Sequence, residues 1–132
     1  MARVDVVPVV ALAVLMSGCG GDPYVAVEAG FRDWLVAVHQ RDEAACGHMT
    51  DDYRRELAAA STSKPQAADC GRALTALASN AATALPPAEA EVDIPVWDPS
   101  GEALVQAKNG SRVLGFWMQE QDGRWLVSGS TQ

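Results

Sequence analysis

Three thiols, Cys19, Cys46 and Cys70, are the most reactive side chains in this sequence. A thiol can take an acyl group, pair with a second thiol, ligate a metal or attack a substrate, and its surroundings select among these. Metal binding lacks a ligand pattern. His48 lies two residues from Cys46, but no C-x-x-C or H-x-x-x-H spacing completes a closed site, so no metal and no cofactor is expected. Gly18, Gly20 and Gly21 do not make a phosphate loop, because no strand precedes them. Scattered serines, histidines and aspartates define no nucleophilic triad. Acylation of one thiol and pairing of the other two remain, and both depend on the compartment.

The N-terminus addresses that question. The run from Val6 to Met16 suits the apolar centre of an export signal and is too short to span a bilayer. It closes on Leu15-Met16-Ser17-Gly18-Cys19, small residues followed by a cysteine, which resembles the lipobox of bacterial lipoproteins. The resemblance implies that residues 1–18 are a signal peptide and that Cys19 becomes a diacylated first residue. The protein would then be extracytoplasmic and held on the membrane by lipid. A plain secretory signal cut nearby, or a cytosolic apolar N-terminus, are the alternatives. Two acyl chains, at about 0.8 kcal/mol per buried CH₂, anchor almost permanently. Residues 19–22 form the tether. At about 3.3–3.6 Å per residue they reach little more than ~10 Å, so the domain from 23 to 132 is expected close to the headgroups.

Apolar residues make up 48% of the chain, well above a disordered composition, and the length suits one domain with one core. The formal net charge is −7, and Lys64 and Lys108 are the only lysines. That balance argues against nucleic acid and against electrostatic adhesion to anionic lipid. With Cys19 acylated, Cys46 and Cys70 are left to each other in an oxidising compartment. Cys46 shares an apolar helical stripe with Met49, Tyr53 and Leu57, and Cys70 with Leu74, Leu77 and Ala81. Two such helices packed face to face would join them in a disulfide; two buried free thiols are the alternative.

The elements divide at Pro86-Pro87. Tyr24, Val27, Phe31, Trp34, Leu35 and Val38 recur at three- and four-residue steps, predicting a helix over 23–40 that Asp22 caps. Asp42 caps a second helix, Thr50 its continuation through Leu57, and a third helix runs from Gln66 into 81–85, after a loop over 61–65. Beyond the prolines the period becomes two. Val92, Ile94 and Val96 alternate with Glu91, Asp93 and Pro95 in a first strand, which Pro95 marks as an edge strand or a bulged one. Strands over 103–108, 113–119 and 124–128 follow, joined by hairpins at Asn109-Gly110 and Asp122-Gly123. Gly115 is read as a bulge where the sheet curves. Helices followed by an antiparallel meander make an α+β fold, with helices covering one face of a curved sheet of about four strands.

Three segments resemble the small NTF2-like, SnoaL-type proteins in their exported form. They are Phe31–Val38 followed by Arg41-Asp42-Glu43-Ala44-Ala45-Cys46, then Asp69-Cys70-Gly71-Arg72-Ala73-Leu74, and Asp122-Gly123-Arg124-Trp125-Leu126-Val127. The resemblance implies a cone, a curved sheet wrapped around helices, often with a cavity. Some members are isomerases or dehydratases using buried acid–base residues, for which the candidates here are Tyr24, His39, His48 and Asp93. His39 reads better as a helix-end cation, His48 sits among polar residues, and Asp93 alternates with Val92 and Ile94 and so points to solvent if they point inward; no catalytic residue is assigned. Trp34 and Trp125 are expected in the core. Trp97 and Trp117 are a candidate interaction patch, for a protein partner or a second copy meeting through the sheet face. A small apolar ligand in the cone is the other binding mode, and a ligand-free accessory domain a further reading.

Overall fold

Asp22 starts the first helix by accepting the Tyr24 N–H on Oδ1 at 2.9 Å, and Pro23 follows where a missing N–H costs nothing. The computed structural model describes residues 22–60, 69–79 and 85–131. The expected signal peptide, Cys19, Gly20 and Gly21 of the tether, and the loop over 61–65 lie outside them. Helix α1 spans Pro23–His39. Asp42 then caps a short 3₁₀ helix, Glu43–His48, in place of an α-helix. Thr50 Oγ1 accepts the Tyr53 N–H at 3.2 Å and opens α2, Asp51–Ala60, three residues longer than expected. Helix α3 is Asp69–Ser79; Leu85, expected at its end, belongs to no helix.

Four strands follow: β1 Val92–Asp98, β2 Glu102–Asn109, β3 Arg112–Gln121 and β4 Arg124–Ser130. They form one curved antiparallel sheet in the order β1-β2-β3-β4, so the fold is α+β with helices preceding a meander. The Asp122-Gly123 turn takes positive φ at both residues, 53° and 78°, as a two-residue hairpin of this hand requires. The other hairpin is displaced by one residue. Asn109 pairs with Arg112, so the loop is Gly110-Ser111, while the Asn109 side chain donates to the Leu85 carbonyl at 3.2 Å.

Register decides which side chains go inward. Ala103, Val105 and Ala107 pair with Met118, Phe116 and Leu114, and all six are buried on the helix-facing side. In β1 the pairing slips between Asp93 and Val96, so Pro95 sits at a bulge on an edge strand. The slip overturns the simple alternation: Val92 and Ile94 face the core, but Val96 turns outward and Trp97 takes the inward place. Gly115 is not a bulge, since β2–β3 pairing runs through it unbroken. The second slip is in β4 at Ser128, between the Trp117–Gly129 and Met118–Val127 pairs. Gly115 instead makes room for Thr131, whose Oγ1 would lie 2.6 Å from a Cβ there.

Helix α1 lies across the inner face. Phe31, Trp34 and Phe116 form an aromatic knot with ring centroids 5.3–5.7 Å apart. Gly30 lets the helix touch β4, since a Cβ there would meet the Trp125 carbonyl oxygen at 2.7 Å. Arg32 binds the segment before β1. Its Nη1 and Nη2 donate to the Ala88 and Ala90 carbonyls at 3.2 and 2.9 Å, while Nε pairs with Glu28 at 2.9 Å. The far edge of the sheet is covered, because the Thr50 N–H donates to the Val127 carbonyl at 2.9 Å beside the Met49–Val127 bridge. On β1, the other edge, the proline and the bulge hinder a further strand from pairing.

Candidate functional site

Cys46 and Cys70 form a disulfide, with Cα atoms 5.8 Å apart. It joins the 3₁₀ helix to α3, which otherwise leans chiefly on α2. The role of this pair is to hold the helical layer together, and neither sulfur is a free nucleophile.

The four acid–base candidates do not meet at one centre. Tyr24 and Asp93 line one hollow of about 300 Å³ with Glu28, Val92 and Ile94, between α1 and the free edge of β1. Tyr24 is 47% exposed and Asp93 is exposed, so water reaches both groups. His39 is spent on structure: its Nε2 lies 2.7 Å from the Pro86 carbonyl oxygen and ties the end of α1 to the chain before β1. His48 lines a separate surface cleft of about 280 Å³ with Asp33, Arg124 and Trp125. Arg124 in that cleft already donates to the Gly47 carbonyl at 3.1 Å. Among the described residues no cluster of His, Cys, Asp or Glu could hold a metal ion. Among the described residues the one strongly perturbed group is Tyr53, whose hydroxyl is pushed up to about 12 by burial and secondarily by the Glu56 carboxylate. Tyr53 is 4% exposed in the helical layer, away from both clefts, and its shift reports packing.

The interior holds rings where a cone would hold a ligand. Trp34 is fully buried and Trp125 is 8% exposed, both in the core as expected. The indole N–H groups of Trp34 and Trp97 are buried with no acceptor among the described residues. Trp97 and Trp117 are not brought together. Trp97 pairs with Ala103 on the inner face, packs on the core and meets Tyr24 edge-on at 6.3 Å. Trp117 pairs with Leu104 on the outer face.

That outer face carries the coherent surface feature. Pairing sets Val96, Leu104 and Trp117 in one row across β1, β2 and β3, with Gly129 next in line on β4. Gly129 has no side chain to cover the indole. Val96 is 40% exposed, and Leu104 and Trp117 keep contact with solvent. Polar residues flank this strip: Asp93–Gln106 on one side and Asp98–Glu102–Gln119 on the other, the latter row ending on Leu126 of β4. Beyond lies a hollow of about 330 Å³ between Glu91, Asp93, Gln106, Lys108 and Val113, with Lys108 Nζ 3.2 Å from Glu91. An apolar row inside a polar rim is the layout of a protein-binding patch. Sequence reasoning found Trp117 but missed Val96 and Leu104. Alternation in β2 offered two faces, and the small residues Ala103 and Ala107 gave no sign of being the inner one.

No family model, no curated protein and no solved structure matches the chain. No helix among the described residues is long and apolar enough to cross a membrane.

Proposed function

We propose that this chain is an exported lipoprotein, moored by Cys19, whose NTF2-like domain binds a protein partner through the outer face of its sheet. The Val96–Leu104–Trp117 row carries the reading, because an apolar strip left in contact with water is stabilised by a covering surface. The Cys46–Cys70 disulfide supports export, since such bonds persist in oxidising compartments. The aromatic knot of Phe31, Trp34 and Phe116 favours recognition at the surface over a small ligand inside a cone. The domain works by binding, not by turnover.

Intact-mass analysis of native protein from the membrane fraction tests the anchor. The expected species begins at Cys19, carries acyl chains and is two protons lighter than its dithiol form. An unprocessed, unacylated chain refutes it, as does a Cys19→Ala variant that stays on the membrane. Cross-linking and sedimentation test the surface. Leu104→Glu with Trp117→Ser is expected to abolish association and to leave thermal unfolding little changed, because neither side chain belongs to the core.

A further inference from the structure

We propose that the end of the domain bearing the α1 N-terminus is a lipid-contact surface, with Tyr24 and Val25 at the headgroup level of a zwitterionic membrane. The inference rests on the lipid-anchor reading above and adds to it an orientation and a contact. Asp22 follows Cys19 by three residues, which span at most about 10–11 Å when extended. The first turn of α1 therefore stays beside the bilayer that holds Cys19. Val25 and Tyr24 in that turn are 65% and 47% exposed, turned away from the core. A tyrosine with an apolar ring and a wet hydroxyl suits the membrane–water boundary. The edge-on contact with Trp97, itself packed on the core, gives Tyr24 a rigid backing.

The rest of this end sets the lipid charge it tolerates. Helix α1 runs back along β1, from Tyr24 beside Trp97 to Arg32 beside Ala90 and His39 beside Pro86. Its start therefore shares an end with the β1–β2 turn, and the Glu120 N–H bond to the Gly101 carbonyl at 2.9 Å brings the end of β3 there too. Asp22, Asp98, Glu120 and Asp122 make that rim acidic. Charges about one Debye length (~8 Å) from the surface still act on it at physiological salt. The contact should hold on neutral headgroups and weaken on anionic ones.

The test uses full-length acylated protein on phosphatidylcholine vesicles carrying a headgroup-proximal doxyl quencher. Tryptophan emission is expected to be quenched. The quenching should vanish in Trp97→Phe, survive in Trp117→Phe and fall in Tyr24→Ser/Val25→Ser, whose exposed positions leave the fold intact by circular dichroism. Added phosphatidylglycerol should reduce it at low salt, and added salt should restore it. Protein that floats with the vesicles but shows no quenching, or quenching that persists in Trp97→Phe, overturns the contact while the anchor stands. Wild-type protein that fails to float overturns both. Energy transfer between protomers without quenching identifies a second copy on this end and also overturns the proposal.

Discussion

Removing both sulfurs with Cys46→Ala/Cys70→Ala should loosen the helical layer before it unfolds the sheet. The bond closes a loop across a sequence separation of 24 residues. The chain-entropy relation gives about 3.5 kcal/mol for a loop of that size. A domain of about 110 residues unfolds with an entropy near 0.23 kcal/mol/K, so the melting temperature should fall by roughly 15 °C. The loss is not spread evenly. Helix α3 rests chiefly on α2 and the 3₁₀ helix, whereas α1 is set into the sheet through Gly30, Phe31 and Trp34. Amides of α3 should therefore exchange with solvent much faster in the variant, while those of β2 and β3 keep their protection until global unfolding. Calorimetry and hydrogen-exchange mass spectrometry read the two effects. A melting shift of only about 3 °C or less, against the roughly 15 °C expected, would show that the disulfide contributes little by closing this loop. Equal loss of protection in α3 and β2 would refute the reasoning.

Two other perturbations test the packing. Tyr53 has its folded-state pKa raised from 10.0 to about 12, so the folded protein holds this proton more tightly than the unfolded chain. The associated stability is complete below pH 10 and is lost as pH rises through about 12, on the order of 2–3 kcal/mol in full. Urea unfolding across that range should show this extra slope in the wild type and lose it in Tyr53→Phe; identical slopes count against the burial argument. Gly30→Ala should lower stability by about 1–2 kcal/mol despite alanine's better helix propensity, because the new methyl meets backbone at 2.7 Å and overpacking outweighs propensity. A melting temperature equal to or above the wild type's would show that α1 can shift freely off β4.

Helices and strands were legible in this sequence because their apolar periods are clear and their punctuation is strong. The three-to-four spacing from Tyr24 to Val38, the caps at Asp22, Asp42 and Thr50, the Asp122-Gly123 turn and the edge mark at Pro95 all act over a few residues. Amphipathic stripes also pointed to Cys46 facing Cys70, since two helices can bury such stripes only against each other or the sheet. The β2–β3 hairpin lies one residue beyond the Asn109-Gly110 reading: Asn109 stays in the strand, paired with Arg112, and its side chain donates to the Leu85 carbonyl, a partner 24 residues away that local turn preference does not register.

The outer surface was decided by tertiary structure alone. Trp97 and Trp117 look equivalent in sequence, yet one extra residue at Pro95 sends Trp97 inward and Val96 outward, because each step along a strand reverses the face. A bulge is settled by pairing across strands, and no local preference encodes it. The role of Arg32 was divided in the same way. Its ion pair with Glu28 follows from helical spacing, while its bonds to Ala88 and Ala90 exist only once α1 lies along β1. Sequence sets which residues seek burial and where the backbone turns; the long-range pairings set which of them meet and which are left facing water.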